Sequence, residues 1–287
     1  MVVSARKARN VTVPAKLGVR DVRGGSPARA GTYQFDVGDQ VFTGWHSHDL
    51  HQLEYACEGV AEVETAAARY LLPPQQAIWI PAGLEHCTTL TRVRTVSVFL
   101  DPSLGIKAGD RARVIPAAPV IREMILYARC WPIDRDRTDP EADIFFEALA
   151  HLIAKSLDQE MPLSLPTSKD PLVSAAMRFT SAHLAHVTLS DVCRAVGASE
   201  RSIRRAFVSE TGMSWRKYLL QSRLLKAMAL LAEPGPSVLA VATAVGFETM
   251  SGLNRAFRRY TGETPLAYRQ HVLATRLGHP AGVRPPG

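Results

Sequence analysis

Apolar and polar residues alternate along the chain from Tyr33 to about Leu100, in runs such as VAEVETAA and RTVSVFL. A period of two places successive side chains on opposite faces of an extended backbone, so these runs predict β-strands with one buried face. Turn-forming residues, among them the pair Pro73-Pro74, separate the runs. Short strands at such close spacing predict a small antiparallel barrel or sandwich.

Two helical segments follow the strand region, PVIREMILYARC at 119–130 and PEADIFFEALAHLIAKSLDQE at 140–160. In the second segment the apolar residues recur at helical spacing and form a stripe. The residues of this stripe are Ile144, Leu149, Leu152, Ile153 and Leu157. Such a stripe packs on its own domain or on the same stripe of a second subunit, so both a core helix and a dimerisation segment are open interpretations.

Changes in composition divide the chain into five segments. Residues 1–30 mix Arg, Gly, Ser and Pro without apolar periodicity, which predicts a flexible basic arm. Residues 31–160 form the first predicted domain, and the prolines and small polar residues of 161–170 predict a linker. Residues 171–272 have a helical pattern, and 273–287 predict a disordered tail. The predicted fold class is α+β, with a barrel or sandwich of strands and its helical segment followed by an all-α domain.

The helical domain contains an internal repeat. The sequence Arg205-Ala206-Phe207-Val-Ser-Glu-Thr211-Gly212 recurs as Arg255-Ala256-Phe257-Arg-Arg-Tyr-Thr261-Gly262, and Tyr218 recurs as Tyr268. Upstream, Ala195-Val196-Gly197 recurs as Ala244-Val245-Gly246. Repeats of this length indicate a duplicated supersecondary structure.

Each repeat has the start and stop signals of two short helices joined by a tight turn. In the first repeat Thr188 is suited to cap a helix from Leu189 to Val196, Gly197 to end it, and Ser199 to cap the next. In the second repeat Ser237 caps the first helix, Gly246 turns the chain, and Thr249 or Ser251 opens the second helix. A long amphipathic helix, from Ser214 to Glu233, joins the two repeats. This order predicts two helix-turn-helix units.

Polar residues remain on the outer faces of these units, and their chemistry suits a DNA duplex. Arginine contacts guanine edges and asparagine contacts adenine, while Ser, Thr and amides at helix N-termini hold phosphates. The residues predicted to contact DNA are Thr188, Ser199, Glu200, Arg201, Ser202, Arg204 and Arg205 in the first unit, and Glu248, Thr249, Ser251, Asn254, Arg255 and Arg258 in the second. The alternative is a helical bundle that uses these residues only for solubility.

Composition and charge support a DNA partner for the second half only. The 287 residues carry a net charge of +7, of which 1–30 contribute +6, 31–160 contribute −8 and 161–287 contribute +9. A basic domain attached to an acidic one indicates that the basic part faces a polyanion. The four cysteines form no CxxC pair, and the chain has neither a secretion signal nor an apolar run long enough to cross a membrane. We therefore expect a cytoplasmic protein with no membrane partner.

The region from about Asp170 to Gln270 resembles the DNA-binding domain of AraC/XylS-family transcription regulators. The family signature has a counterpart in Gly246-Phe247, Leu253, Arg255, Phe257, Gly262, Pro265, Tyr268 and Arg269. Leu253 replaces the usual aromatic residue and lies one place early, and Gly252 stands where a larger residue is common. The resemblance implies that two recognition helices enter successive major grooves. It also implies that Arg205 and Arg255 anchor structure or backbone while side chains nearer the helix N-termini contact bases.

A histidine cluster is the second informative feature, in the segment WHSHDLHQLEY at 45–55. In an extended strand His46, His48, Gln52 and Glu54 share one face, and His86 from a neighbouring strand can join them. The segment resembles the two motifs of cupin barrels, with His46, His48, Gly59, Pro81, Gly83 and His86 in register. Gln52 stands where the motif has glutamate, and Leu90 where it has asparagine.

Three interpretations of this cluster remain open. His46, His48, Gln52, Glu54 and His86 form a polar pocket for a small-molecule effector, or they bind a divalent metal ion, or the histidines only hydrogen-bond across the barrel mouth. Cupin barrels also host oxygenases and isomerases, so a metal-dependent enzyme is the alternative function. No phosphate-binding loop or nucleophile elbow is present, and attachment to a DNA-binding domain favours sensing over turnover, so we expect no catalytic residues.

Together these features predict a transcription regulator with a cupin-like sensor barrel, a helical dimerisation segment and a double helix-turn-helix domain. The expected partners are promoter or operator DNA, an effector, a second copy of the chain, and RNA polymerase if the protein is an activator. An effector or metal in the barrel would change how the arm and the helices at 119–130 and 140–160 present the two DNA-binding domains of a dimer. The basic arm would either contact phosphates or fold over the pocket.

Overall fold

The computed structural model describes residues 3–4, 18–19, 21–107 and 109–277. Within these residues the chain forms two compact units. The first unit comprises the chain up to Thr65 together with Tyr70–Leu163, and the second comprises Ala66–Arg69 together with Ser164–Leu277. The first is built mainly of strands and the second mainly of helices, in agreement with the predicted α+β class.

The strands of the described chain are β1 Val3–Ser4, β2 Gly18–Val19, β3 Ala30–Phe42, β4 His46–Ser47, β5 His51–Thr65, β6 Ala68–Leu72, β7 Gln76–Ile80, β8 His86–Leu100, β9 Arg113–Pro116 and β10 Ser164–Pro166. The sheet order runs β1-β3-β8-β5-β6, with β7 between β5 and β9, and β4 beside β8 and β2. Strand β8 lies antiparallel to both β3 and β5. It is therefore the central strand of the first unit.

The two faces of β5 and β8 carry different chemistry. Leu53 and Tyr55 on β5, with Val96 and Val98 on β8, lie in the hydrophobic core. The alternate residues Gln52 and Glu54 are also buried but polar, and Ser97 on β8 is their neighbour across the strands. Both faces of these strands are therefore buried. One packs in the apolar core, and the other, which carries the polar side chains, encloses a polar cavity.

Strands β3, β5 and β8 are longer than the alternation pattern predicts, at 13, 15 and 15 residues. Their pairing is interrupted by irregularities, between Val37 and Gln40 on β3 and near Glu58 on β5. A bulge inserts an extra residue and shifts which side chains face inward. Short alternating runs in the sequence are therefore pieces of long, bulged strands.

Helices α1 Pro119–Tyr127 and α2 Pro140–Ser156 cover the apolar face of the sheet, each followed by one turn of 3₁₀ helix. Asp139 caps α2 by accepting hydrogen bonds from the amides of Glu141 and Ala142. The predicted stripe on α2 is divided: Leu149, Ile153 and Leu157 are buried, Leu152 is half-buried, and Ile144 is 71% exposed. Most of the stripe therefore packs on its own domain.

The helices of the second unit are α3 Pro171–Ala182, α4 Leu189–Val196, α5 Glu200–Thr211, α6 Trp215–Ala232, α7 Val238–Ala244, α8 Met250–Thr261 and α9 Pro265–Leu277. Helix α6 packs against α5, α7, α8 and α9. The caps fall where the sequence predicts them, with Thr188, Ser199, Ser237 and Thr249 each accepting a hydrogen bond from an amide in the first turn of their helix. The two predicted helix-turn-helix units, α4–α5 and α7–α8, are therefore present.

The described residues include only part of the predicted arm and part of the predicted tail. Most of 1–20 and all of 278–287 lie outside the described residues. Residues 21–30 are held against the barrel, because Arg23 pairs with Asp101 at 2.7 Å and with Asp49 at 3.3 Å, and they do not form an unanchored arm. Helix α9 continues to Leu277, into the predicted tail.

The predicted linker at 161–170 is structured. Leu163 is buried in the first unit, and residues 164–166 form β10 at the start of the second. Asp170 caps α3 by accepting a hydrogen bond from the amide of Val173. The division between the compact units, at Leu163 and Ser164, falls inside this segment. Among the described residues, no helix combines the length and the apolar character needed to cross a membrane.

Candidate functional site

A single bridge between two strands brings the histidines of the sequence cluster together. His46 on β4 pairs directly with His86 at the start of β8, and their ring centroids are 4.4 Å apart. Gly83 makes the turn before β8 with a φ of 78°, in the left-handed region that favours glycine. Its amide donates to the carbonyl of His48 at 2.8 Å. That bond holds the turn against the segment that follows β4.

Backbone carbonyls fix the orientation of all three rings. The Nδ1 of His46 lies 2.8 Å from the carbonyl oxygen of Gly44, that of His48 2.6 Å from the carbonyl of Leu50, and that of His86 2.9 Å from the carbonyl of Leu84. A carbonyl oxygen only accepts, so each Nδ1 carries the hydrogen. In the neutral ring each Nε2 then presents a lone pair.

Gln52 connects the histidines to a buried carboxyl group. Its side-chain oxygen lies 3.0 Å from Nε2 of His48, and its Nε2 donates to Oε2 of Glu54 at 3.2 Å and to Oγ of Ser97 at 3.1 Å. The orientation of a glutamine amide is assigned from its hydrogen bonds. If His48 is neutral, its Nε2 only accepts, and the amide then takes the opposite orientation, in which the NH2 group donates to His48 and the oxygen accepts from Ser97 and from a protonated Glu54.

These side chains line a cavity of about 290 Å³ within the barrel. It contains all five residues predicted for the pocket, His46, His48, Gln52, Glu54 and His86. Sequence analysis missed the remaining lining residues, which are Asp21, Val22, Tyr33, Phe35, Thr43, Thr88, Leu90 and Phe99. Thr88 and Leu90 follow His86 at steps of two on β8, so strand alternation could have placed both of them on the same face as His86.

The cavity is closed on one side by the segment before β3. Asp21 and Val22 line it, and the neighbouring Arg23 is tied to Asp101 and Asp49. Ser26 donates a hydrogen bond to the carbonyl of Arg135, which also fixes this segment. Access to the cavity at this side therefore depends on how firmly residues 21–26 are held.

Burial shifts the pKa values of His48, Glu54 and His51, in or beside the cavity, in the direction that favours the neutral form of each group. Removal from water lowers the pKa of His48, against smaller opposing effects of its hydrogen bonds to Gln52 and Leu50. The same cause raises the pKa of Glu54 to about 7, partly offset by the Thr95 hydroxyl. His51, whose Nδ1 accepts from the amide of Ala82, also has its pKa lowered by burial. A cavity lined by these polar side chains is suited to a small polar ligand or a metal ion.

One group of side chains among the described residues has the arrangement of a metal site. One ring nitrogen from each of His46, His48 and His86 lies within 4.8 Å of the other two, and all three residues are buried. Imidazole nitrogens are ligands for zinc, copper, nickel and iron. The donor set therefore fits a transition metal, with Gln52 in place of a carboxylate ligand.

The second candidate site is the outer surface of α5 and α8. Of the thirteen residues predicted to contact DNA, all are exposed except Ser202, which is half-buried. On the inner side of the same helices, Ile203 and Phe207 on α5 and Leu253 and Phe257 on α8 are fully buried. Each helix thus has an apolar face in the core and a polar face in solvent.

Several residues predicted to contact DNA also make hydrogen bonds or ion pairs within the domain. The Thr188 hydroxyl is part of a capping box with Asp191, and the Ser199 and Thr249 hydroxyls accept from the amides of Ser202 and Gly252. Arg204 pairs with Glu200, one turn earlier on α5, at 2.9 Å. Both side chains of that pair are more than half exposed, so the pair holds Arg204 only weakly.

Comparison with known proteins matches both halves of the chain. Residues 32–91 match the family described as AraC-like ligand binding domain, and residues 192–271 match the helix-turn-helix domain family. The regulator NimR of Escherichia coli is 26% identical over 234 residues, which are 80% of this chain and 83% of NimR. The activator RhaR of Yersinia pseudotuberculosis is 35% identical over 89 residues, about 31% of each chain. The solved DNA-binding domain of AdpA, in complex with a target DNA, is 31% identical, with a TM-score of 0.36 over 39% of this chain and all of that chain.

Proposed function

This chain belongs to the AraC family of transcription regulators, and we propose that it contacts promoter DNA through α5 and α8 under the control of an effector bound in the barrel cavity. The observation that carries the proposal is the duplication of one surface. Both helices bury an apolar face on the same domain and expose Arg, Ser or Thr, and in α8 also Asn254, on the other. Two such surfaces on a basic domain match the needs of duplex recognition.

In each helix some residues are placed to contact base edges and others to contact phosphates. Arg201 lies in the first turn of α5 and Asn254 in the second turn of α8, where a helix that enters the major groove approaches base edges. The capped N-termini at Ser199 and Thr249 bring exposed amides toward phosphates. Arg258, one turn further along α8, contacts the phosphate backbone in this arrangement.

The effector in this proposal is a small polar molecule or ion. The cavity of about 290 Å³ lies at the lower end of the size range of ligand pockets. Its walls combine buried His, Gln and Glu side chains with aromatic residues such as Phe99. The relatives named above are transcription regulators, which supports a sensing role over the alternative of a metal-dependent oxygenase or isomerase.

A second copy of the chain is a further partner in this proposal. Tyr127 is 62% exposed and Ile144 71% exposed on α1 and α2, and an exposed apolar surface on a helix pair suits a homodimer. A dimer would place two DNA-binding domains on paired half-sites in the cytoplasm. RNA polymerase is a partner if the protein activates transcription.

The test is a mobility-shift titration of the full-length protein with the DNA upstream of its own coding region. We expect a retarded complex that competitor DNA of random sequence does not abolish, and loss of that complex in the double variant Arg201→Ala, Arg204→Ala. The matched control is Arg137→Ala, which removes an exposed arginine from the first unit. Equal affinity of the wild type and the double variant for upstream DNA would refute the assignment of α5 as a reading helix.

A further inference from the structure

A buried carboxyl group, that of Glu54, lines the barrel cavity, and we propose that the cavity binds a small organic cation whose protonated nitrogen pairs with this group. The proposal rests on the effector cavity proposed above and names the chemical class of the effector. Glu54 is 2% exposed. A carboxyl group so far removed from water needs either a proton or a cation as its partner.

The hydrogen bonds of Glu54 within the chain leave part of its capacity unused. Its Oε2 lies 3.2 Å from the side-chain amide of Gln52. Its Oε1 is buried and makes no hydrogen bond with the residues that the structure describes. The nearby Thr95 hydroxyl lowers the pKa of the carboxyl, but by less than burial raises it. Because a carboxylate accepts several hydrogen bonds and buried acceptors are rarely left unpaired, Glu54 has room for a donor from a ligand.

The charges of the other lining residues also favour a cation. The described residues of the cavity wall include a second carboxylate, that of Asp21, and no lysine or arginine. Arg23, close to Asp21 in the chain, forms its ion pair with Asp101. Burial lowers the pKa of His48 and so disfavours the charged form of that ring. An anionic ligand would therefore meet Glu54 without an arginine or lysine in the wall to balance its charge.

Aromatic side chains share one face of the sheet with Glu54. Glu54 on β5 lies opposite Ser97 on β8, and Ser97 lies opposite Tyr33 on β3. Neighbouring strands are about 4.8 Å apart, so the backbones of Glu54 and Tyr33 are roughly 10 Å apart. Phe35, whose ring centroid is 4.8 Å from that of Tyr33, and Phe99 also line the cavity. The cavity thus has a carboxyl group on β5 and aromatic rings on β3.

This arrangement selects a ligand with a protonated nitrogen at one end and an apolar body at the other. An ammonium group donates charge-assisted hydrogen bonds to a carboxylate. The faces of aromatic rings attract cations and pack well on other rings. The volume of about 290 Å³ is small for a ligand pocket and favours one ring over a larger molecule. A primary amine attached to a single ring meets each of these requirements.

The experiment compares three probes of similar shape: benzylamine, which is a cation, benzyl alcohol, which is neutral, and benzoate, which is an anion. Binding to the full-length protein is measured by ligand-observed NMR titration at pH 8, above the pKa of about 7 to which burial raises Glu54. A chelator is present throughout, so that no metal ion bridges the amine and the histidines. We expect a Kd for benzylamine on the order of 1 mM, at least about tenfold below that of either other probe.

A variant with the same shape and no charge tests the role of the carboxyl group. Glu54→Gln should weaken benzylamine binding by about tenfold or more. Benzyl alcohol should bind this variant as tightly as it binds the wild type, which shows that the cavity is intact. Glu62→Gln, on the same strand but exposed, is the matched control and should bind all three probes as the wild type does.

Two comparisons can overturn the proposal. The first needs no variant: it fails if the wild type does not bind benzylamine, or binds benzyl alcohol or benzoate as tightly. The second fails if Glu54→Gln binds benzylamine as the wild type does.

The failure of this proposal is distinguishable from failure of the proposed function. The same preparations are tested for the mobility shift with upstream DNA. A protein that binds this DNA selectively but shows no preference for benzylamine is a regulator whose effector is not an organic cation, which overturns the present proposal alone. Benzylamine binding that depends on Glu54, without selective DNA binding, would contradict the DNA-contact proposal and leave the cation site supported.

Discussion

Phe257 and Tyr268 meet edge to face, with ring centroids 5.5 Å apart and an interplanar angle of 64°. Phe207 and Tyr218 meet in the same way in the first repeat, at 5.6 Å and 63°. Thr211 and Thr261 each donate a hydrogen bond from the hydroxyl to the carbonyl of the repeat phenylalanine, Phe207 or Phe257. The duplication therefore extends from sequence to side-chain packing. The same contacts hold α5 and α8 in place, so that the outer face of each helix is exposed in a similar way.

The glycine between α7 and α8 is expected to tolerate no side chain. A Cβ on Gly246 would lie 2.1 Å from the carbonyl oxygen of Ala185, and its φ of 85° already disfavours other residues. Gly246→Ala should lower the free energy of unfolding by at least about 2 kcal/mol, measured by urea denaturation. Gly212→Ala is the control, since its φ is also positive but nothing lies within 4 Å of the added atom. Equal losses in the two variants would show that the close approach to Ala185 does not matter.

Substitutions on α8 should separate base contacts from phosphate contacts. Asn254→Ala should cost about 1–3 kcal/mol in binding to the specific site and little in binding to random DNA. Arg258→Ala should weaken binding to both and reduce the slope of log affinity against log salt by about 0.9. Fluorescence anisotropy over a range of salt concentrations measures both effects. A loss of selectivity in Arg258→Ala, with an unchanged slope, would reverse the assigned roles.

Glu54 is expected to make stability depend on pH. Burial raises its pKa to about 7 in the folded chain, against 4.5 for an exposed glutamate, so the folded chain retains a proton that the unfolded chain releases. The contribution of the Glu54 carboxyl to the free energy of unfolding is therefore most favourable below about pH 4.5. It falls as the pH rises to about 7, by at most about 3 kcal/mol. Glu54→Gln should remove this component and be more stable than the wild type at pH 8.

The measurement for Glu54 is the free energy of unfolding in urea at several pH values between 5 and 8. Glu62→Gln, on the same strand but exposed, is the matched control. The difference between each variant and the wild type cancels the contributions that the other ionisable groups make to both proteins. A constant difference between Glu54→Gln and wild type across this range would contradict the prediction.

The segment before β3 should open when its ion pairs are removed. Arg23 contacts Asp101 and Asp49, and both Arg23 and Asp101 are about one-fifth exposed. In Arg23→Ala we expect the amides of residues 21–30 to exchange hydrogen roughly fivefold faster, which corresponds to about 1 kcal/mol. Hydrogen exchange with mass spectrometry measures this, and Arg94→Ala, which removes more exposed pairs elsewhere on the barrel, is the control. Unchanged exchange in Arg23→Ala would show that other contacts hold the segment.

The exposed apolar residues of α1 and α2 should control assembly. Tyr127 lies 5.6 Å from Phe145 between ring centroids and yet is mostly exposed. Tyr127→Lys combined with Ile144→Lys should convert a dimer to a monomer in sedimentation velocity, because a charge cannot be buried at an apolar interface without a partner. Leu239→Lys, at a similarly exposed position on α7, should leave the sedimentation coefficient unchanged. A wild type that sediments as a monomer would refute the dimer.

The helical domain was predictable because its signals are local. Thr188, Ser199 and Thr249 are capping residues next to their own helices, and Gly197 and Gly212 adopt the left-handed conformation at helix ends. Such positions depend on a few neighbouring residues, so the sequence alone locates them. The boundaries predicted for α4 to α8 agree with the structure to within one or two residues, whereas α9 runs five residues into the predicted tail.

The barrel was less predictable because its pairing is long-range. On β8 the cavity-facing residues are at even positions from His86 to Leu90, whereas Ser97 and Phe99 are at odd ones. The irregular pairing of β5 and β3 with β8 accompanies this change, and a strict alternation cannot anticipate it. Similarly, the ion pair of Arg23 with Asp101 joins positions 78 residues apart, which no local pattern connects.

In strand β8 a single layer of backbone separates the barrel cavity from helices α1 and α2. Ser97 contacts Gln52 on the inner side, while its chain neighbours Val96 and Val98 share the apolar core with Ile121 and Phe146 of α1 and α2. A ligand that moves the backbone of Ser97 is expected to move Val96 and Val98 as well, because the three residues are consecutive on one hydrogen-bonded strand. If the proposed effector acts on the proposed dimer surface through β8, Ser97→Ala should weaken the change in DNA affinity that the effector causes and leave effector binding to the cavity intact.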